Sequence, residues 1–339
     1  MFEFMARRRF LERGLGALSL TGVCAGVRPS NTEAADPAPF PVTELDRLAK
    51  RFAGRVGFFV KDLRGGAAYD WHADQRFPPA SVIKLSVMIE LYRQAAMGRV
   101  DLDQKRPMPA NISTHGSGEL ARRDEPIELA LREYCRLMIV NSDNMATDLL
   151  IRTVSLRAVN RWLADQGLTG SRLAMEIGRW HYAIVGMQHE PISRANDRRQ
   201  LARVKAGRFD DDGVGFSDLI NNNVASPRDM ATLLERLHGG RLAGERATRQ
   251  MLDLLTASTH KQTIARYLRP EVRVANKYGS SRRIAGDAAI VYLASGPVAI
   301  AGFTLADAGG DRSGRELLAR MSRQAVSALD PKAVQERAR

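Results

Sequence analysis

Pro78-Pro79-Ala80-Ser81-Val82-Ile83-Lys84-Leu85-Ser86-Val87-Met88-Ile89-Glu90-Leu91 is the stretch that decides the fold, because it starts a helix at a serine. The two prolines sit just upstream, and the apolar run behind Ser81 is dense enough for a buried helix beginning there. Ser81 and Lys84 are three residues apart, so a helix puts both on one face. A serine hydroxyl is a weak nucleophile until a neighbour takes its proton. A lysine does so only when burial or a second cation has lowered its own pKa. The first turn also offers backbone N–H groups that can hold the oxyanion of an acyl-transfer intermediate. Alone the tetrapeptide carries little, since a capping serine before a solvated lysine is its commoner source.

Two further runs give it weight. Glu133-Tyr134-Cys135-Arg136-Leu137-Met138-Ile139-Val140 leads into Asn141-Ser142-Asp143-Asn144 and then Met145-Ala146-Thr147-Asp148-Leu149-Leu150, which reads as helix, polar break, helix. Short polar side chains at such a break can face a cavity, Ser142 to pass a proton and Asn144 to bind a substrate amide, although the same residues are also favoured helix caps. Lys277-Tyr278-Gly279 precedes a strand-like segment, and Lys277 is a candidate for the second cation beside Lys84.

In order and spacing these runs resemble the Ser-x-x-Lys, Ser-Asp-Asn and Lys-Thr-Gly elements of the class A β-lactamases and their penicillin-binding relatives. The likeness continues in Leu131-Arg132-Glu133-Tyr134-Cys135 before Ser142, in Ser226-Pro227-Arg228-Asp229-Met230-Ala231, and in Val272-Arg273-Val274-Ala275-Asn276-Lys277 with Asp287-Ala288-Ala289-Ile290-Val291-Tyr292-Leu293. It covers most of residues 40–328. The resemblance implies Ser81 as acylated nucleophile and Lys84 as its proton partner. Ser142 would relay a proton to the leaving nitrogen, Asn144 would hold the substrate side-chain amide, and Lys277 would attract the substrate carboxylate. The N–H groups of Ser81 and Ser280 would form the oxyanion hole, and Gly279 would leave room for substrate at the strand edge.

Three departures accompany the match. Position 278 is Tyr where the family carries a small hydroxyl; Ser280 or Ser281 are substitutes, with Arg282 or Arg283 adding charge. No clean counterpart exists for the acidic loop that activates the deacylating water. Glu176 and Glu190 are the candidates, neither followed by Asn at the family's spacing. The chain between Ser142 and Pro227 is about thirty residues longer than the resemblance implies, well beyond an ordinary connection. A member lacking the deacylating carboxylate would be modified by a β-lactam rather than destroy it.

Arg7-Arg8-Arg9-Phe10-Leu11 ahead of an apolar stretch from Gly14 to Val27 fits a twin-arginine export signal, too short and Gly-rich for a membrane span. Residues 1–35 are therefore read as signal and linker, and the mature protein as periplasmic or secreted. Lipidation at Cys24 is disfavoured by Val23. Removing the signal leaves Cys135 alone, so no internal disulfide is expected and this thiol should pack in the core. His72, His115, His181, His189, His238 and His260 show no ligand-like spacing, so neither metal nor cofactor is expected.

The formal net charge of +13 raises the question of nucleic acid, but the arginines are spread and no nucleic-acid motif accompanies them. The densest basic cluster, Arg194 to Arg208, lies within the extra length beside Asp210, Asp211 and Asp212, which reads as a solvated loop. Hairpins are predicted at Val56–Val60 with Ala67–Trp71 around Arg64-Gly65-Gly66, and at Ile290–Leu293 with Val298–Ala301 around Ser295-Gly296-Pro297. Strands at both ends bracket a helical middle. The predicted fold is thus α/β (α+β): one antiparallel sheet from 36–80 and 225–339 with flanking helices, plus a helical lobe over 81–224 carrying an insertion near 176–224. Arg312 to Leu329 should cover one sheet face.

The function expected is an exported serine acyl-transfer hydrolase acting as a monomer on a small-molecule β-lactam. The first alternative is a penicillin-binding protein or D-alanyl-D-alanine peptidase acting on peptidoglycan stem peptides. The second, from another class, is a non-catalytic cell-wall binding protein on the same fold.

Overall fold

The computed structural model describes residues 39–335 apart from 115, 124 and 125. The expected export signal and Cys24 lie outside these residues. The chain begins with α1 (Val42–Lys50), then the hairpin β1 (Gly54–Asp62) and β2 (Ala68–Trp71). Asp62 closes that hairpin by accepting the N–H groups of Arg64 and Gly65 at 2.9 and 3.1 Å, the local bonding that makes aspartate a turn residue. A 3₁₀ turn, Ala80–Ile83, runs directly into α2 (Lys84–Ala96). β3 (Lys105–Pro107) and β4 (Glu128–Ala130) pair as a short ribbon, followed by α3 (Leu131–Val140), α4 (Asn144–Val154), α5 (Leu156–Asp165), α6 (Ile177–Ala183) and α7 (Arg194–Lys205). After α8 (Pro227–His238) and α9 (Glu245–Thr256) come β5 (Arg273–Ser281), β6 (Ile284–Leu293), β7 (Gly296–Ala306) and α10 (Arg312–Leu329).

The larger sheet has the order β2-β1-β7-β6-β5, antiparallel throughout, and joins the two ends of the chain along β1 and β7. Its strands alternate in the manner a two-sided buried sheet requires. Val56, Phe58 and Val60 of β1, with Val298 and Ile300 of β7, enter a core shared with Leu45 of α1 and Leu318 and Met321 of α10. Phe59, Ala299, Ala301 and Phe303 enter the opposite core, which α2, α3, α4, α8 and α9 complete. α2 is buried from Lys84 through Tyr92, so it is apolar on nearly every side and occupies the centre of that core. α8 lies on β1, β6 and β7, its start fixed by the Ser226 side chain accepting from Asp229 N, with Pro227 in the first turn. Cys135 is a buried free thiol. Among the described residues no helix is long and apolar enough to cross a membrane.

The hairpins, the last helix and the antiparallel sheet stand where the sequence places them. The β3–β4 ribbon is additional, its two strands of three residues being too short for an alternation to register. The basic cluster Arg194 to Arg208 is the correction: expected as a solvated loop, it is largely the helix α7 with one face buried. The extra segment around it is packed, Trp180, Tyr182, Ile184, Val185, Met187 and Phe216 forming an apolar cluster with Ala80, Ile284 and Leu305. α7 buries polar groups, Asn196, Asp197 and Gln200, and therefore shows no apolar periodicity from which packing could be read.

Candidate active site

The 3₁₀ turn at Ala80–Ile83 lies against β5 and β6. Ala80 holds φ +44° and Ser142 holds φ +56°, a left-handed backbone that disfavours any residue with a Cβ. One immediately precedes Ser81; the other is the polar break itself. Both are unusual conformations held by the surrounding structure, and neither position is a glycine that the sequence could flag.

Lys84, wholly buried, points its ammonium at that break. Nζ donates to Ser142 O at 2.7 Å, to Ser142 Oγ at 3.2 Å and to Asn144 Oδ1 at 2.7 Å. Lys277, on β5 and also buried, donates to Ser142 Oγ at 3.0 Å and to Tyr278 O at 2.9 Å. Three runs far apart in sequence therefore meet at one hydroxyl. A serine oxygen has two lone pairs and one proton, so two donating lysines occupy its acceptor sites and leave its O–H to point elsewhere.

Burial drives the Lys84 pKa well below the ordinary lysine value, and the Lys277 charge pushes it further, against the pull of Asp143 and Asp148. Burial also lowers Lys277 to about 7, opposed by Asp287. Burial raises Asp287 itself to about 6, although it accepts from Asn276 Nδ2 at 3.0 Å and Ile264 N at 3.2 Å. On α4, Asp148 accepts from the N–H groups of Ile177 and Gly178 at 2.6 and 2.9 Å and is raised to about 7, first by burial and then by Glu176.

Gly279 is required for a reason other than the one expected. A Cβ there would stand 2.6 Å from Ser81 N, 2.8 Å from Pro79 O and 2.9 Å from Val82 N. The close approach is made by the backbone of the turn that carries Ser81, packed directly on β5. Tyr278 is buried, its hydroxyl donating to Asp311 Oδ2 at 3.2 Å with the Ser280 hydroxyl beside it, and its ring stands edge-on to His260. Arg282 and Arg283, considered as extra charge for a substrate, instead reach Asp211 in the inserted segment: Arg282 donates to its Oδ2 at 3.3 Å and Arg283 to its carbonyl at 2.7 Å.

The two glutamates have partners of their own. Glu176 precedes α6 and accepts from Arg152 with both oxygens, at 2.7 and 2.8 Å. Glu190 faces Arg199 at 3.6 Å. Two residues not singled out from sequence border the site instead. Ser117 donates to Ser142 O at 2.6 Å from a loop held by Asp143, which accepts from Glu119 N and Leu120 N at 2.8 and 2.9 Å while capping α4 at Ala146 N. His181, on α6, brings Nε2 to 3.4 Å from Asn144 Nδ2. The only signal for the first was Gly116-Ser117-Gly118, both glycines having positive φ; nothing in the pattern marked the second. Among the described residues no group of His, Cys, Asp and Glu is placed to hold a metal ion.

The fold sets the Ser81 turn on an edge strand and brings two lysines to a helix-break serine, and its likeness to known proteins names the family. The model of the β-lactamase enzyme family matches residues 41–329, and the chain belongs to that family. It is similar to β-lactamase L2 of Stenotrophomonas maltophilia, 29% identical over 183 residues, which is 51% of this chain and 60% of that relative. The match thus spans less than two thirds of the relative's length. Among solved structures, the β-lactamase of Sphaerobacter thermophilus DSM 20745 superposes with TM-score 0.70 at 26% identity, over 86% of this chain and 97% of that one. PBP-A shares the fold, with TM-score 0.68 at 22% identity over 85% and 95% of the two chains.

Proposed function

We propose that this protein is an exported serine hydrolase of class A β-lactamase type that opens β-lactam rings through an acyl-enzyme on Ser81. The observation that carries the reading is the approach of Lys84 and Lys277 to Ser142 Oγ at 3.2 and 3.0 Å. Burial and the Lys277 charge lower the Lys84 pKa and so ease release of its proton, after which its nitrogen can accept the Ser81 proton as Oγ attacks the lactam carbonyl. The N–H groups of Ser81 and Ser280 receive the oxyanion. Ser142, both lone pairs facing lysines, gives its proton to the departing nitrogen and is reprotonated through Lys84. Lys277 attracts the substrate carboxylate, and Asn144 bonds the side-chain amide. Export follows from the arginine-led apolar segment at the chain start. The site lies between the sheet-bearing segments 36–80 and 225–339 and the helical segment 81–224, within a single copy of the chain.

The rival reading is a penicillin-binding protein with slow deacylation, favoured by the engagement of Glu176 with Arg152. Time-resolved mass spectrometry of the intact protein with penicillin G separates the two. A transient adduct with nitrocefin turnover supports hydrolysis; a stoichiometric adduct that persists supports the rival. No adduct, with Ser81→Ala indistinguishable from the parent, sinks both and leaves binding alone.

A further inference from the structure

Arg157, Arg161 and Arg172 line a surface cavity of about 490 Å³ that no carboxylate lines. Arg157 and Arg161 are one helical turn apart on α5, so both lie on one face of the helix. Like charges at that spacing repel and weaken a helix. Arg157 also stands in the first turn, where the helix dipole favours an acid, and that turn holds no acidic residue. Among the described residues none of the three arginines forms an ion pair or a side-chain hydrogen bond. The helix thus carries two electrostatic costs that an anion from outside would offset.

The opposite wall is fixed to α5. Asn160, on the helix between the two arginines, accepts from Leu173 N at 2.9 Å and donates to Leu173 O at 2.8 Å. Arg172 N donates to Val224 O at 2.8 Å, and Val224 N to Arg172 O at 2.9 Å. Buried Asn223 takes the next two amides, Ala174 N at 2.7 Å and Met175 N at 3.0 Å. Arg172 is therefore carried on tied backbone, and the three cations are held around one space. A second cavity of about 470 Å³ shares Leu156 and Ala174 with the first and adds Arg152 and Arg179. Its one carboxylate, Glu176, is already engaged by Arg152 with both oxygens.

We propose that this groove binds an extended chain of phosphate groups, seated on Arg157, Arg161 and Arg172 and running past Leu156 toward Arg152 and Arg179. A guanidinium meets phosphate with two parallel N–H donors and stays charged at all working pH. No aromatic side chain lines either cavity, so nucleobases find no face to stack on. The arginines stand in a concavity, which a narrow chain enters and the plane of a bilayer does not. The inference is independent of the acyl-enzyme reading above.

Isothermal titration with short-chain inorganic polyphosphate, at several salt concentrations, tests the groove. Three proteins are compared: the wild type, Arg157→Gln/Arg161→Gln/Arg172→Gln, and Arg198→Gln/Lys205→Gln/Arg208→Gln, which removes as much charge from exposed positions in and just beyond α7. The groove variant should bind about tenfold more weakly, and its log affinity should fall with log salt on a slope shallower by about two to three. Its melting temperature should be no lower than the parent's, because the repelling pair on α5 is gone. The α7 variant should bind as the wild type does. Absence of wild-type binding overturns the site, as does an equal loss in both variants, which would be a response to net charge alone. A groove variant that melts below its parent would show the arginines serving the fold and also overturns it. Orthophosphate competing as well as the polymer at equal phosphate overturns the extended chain. Equal or tighter binding of a single-stranded oligonucleotide, or of anionic phospholipid vesicles, through the same three arginines overturns the choice of ligand.

Discussion

Lys84 and Lys277 share one acceptor, Ser142 Oγ, from 3.2 and 3.0 Å, although they stand on a helix and a strand almost two hundred residues apart. Sharing it keeps their nitrogens within about 6 Å, where two positive charges repel by about 3 kcal/mol at an effective dielectric constant near 20. One of them must release its proton more readily. Burial and then the Lys277 charge lower Lys84, whereas Asp287 sustains Lys277, so of the two Lys84 gives up its proton more readily and Lys277 keeps its charge longer.

This division predicts the pH profile. With Lys277 near 7, a substrate carboxylate loses its cation as pH rises through that value, so kcat/KM of the free protein should fall on the alkaline side of about 7. A bound carboxylate favours the charged lysine, which moves the corresponding limb of kcat upward. Lys277→Arg, charged at all working pH, should abolish the limb while lowering activity through its different shape. An unchanged alkaline limb in that variant would remove Lys277 from the assignment. The same shift bears on stability: between about 7 and the ordinary lysine value the unfolded chain holds the extra proton, so Lys277 makes stability rise with pH across that window.

Ser142→Ala removes the shared acceptor and the proposed proton donor together, while Ser142 O still holds Lys84. Acylation should slow by about 10²–10⁴-fold with a smaller change in KM. Stopped-flow acylation with nitrocefin measures both, and a rate within the error of the parent would exclude the relay.

Much of this site was legible because the residues that meet at Ser142 lie in short runs at fixed spacing. Ser81 and Lys84 are bound by one turn of chain, Ser142 and Asn144 by one helix break, and Lys277 by one strand, so each needs only local structure to be placed. The sheet was legible for the same reason, its hairpins being marked by Arg64-Gly65-Gly66 and Ser295-Gly296-Pro297 between apolar strands. What escaped depends on long-range packing. His181 meets Asn144 on a helix, α6, held both by Asp148 of α4 and by Gln200 of α7, and α7 buries polar residues that mimic a solvated surface in sequence. Gly279 was expected to leave room for substrate, and what a side chain there would meet is the backbone at Pro79–Val82 approaching from another part of the chain.

Gly279→Ala should misplace the nucleophile more than it destabilises the fold. The added Cβ meets backbone atoms at 2.6 to 2.9 Å, which cannot swing aside as a side chain does. Overpacking of this kind typically costs about 1–3 kcal/mol, and a shift near 1 Å at a reacting atom about 10²-fold in rate. Thermal melting and acylation kinetics together check this; a variant with parental acylation would mean that the turn and β5 separate without consequence for Ser81.

Glu176→Gln tests the carboxylate that the sequence offers for water activation. Its carboxylate is paired with Arg152, and that pair is about a quarter to a third exposed at 26% and 30%, so its loss should cost no more than about 1 kcal/mol. Removing its charge also eases the ionisation of buried Asp148. Deacylation of a penicillin adduct should remain at the parental rate. Slowing by orders of magnitude, with an unchanged melting temperature, would return the role to Glu176.

Asp197 links the inserted segment to the wall of the site. Its carboxylate accepts from Ser113 Oγ at 2.7 Å and from Thr114 N, Thr114 Oγ1 and Tyr182 Oη at 2.9 Å each. Burial opposes its ionisation, but these donors outweigh burial and hold its pKa below the ordinary carboxylate value. Its stabilising contribution is therefore complete above the unfolded aspartate pKa near 4 and is lost as pH falls through the lower folded value. Asp197→Asn replaces an acceptor of four bonds by a group that must also donate, at a cost of about 1–3 kcal/mol. The loop leading to Ser117 then loses its hold at Ser113 and Thr114 while Asp143 keeps its other end, so KM should rise more than kcat falls, because Asn144 is contacted from that loop. Melting curves at pH 7 and pH 3 should converge for the variant and its parent at the acid end. A variant with parental melting temperature and parental KM would show that the clamp supports neither the fold nor the wall.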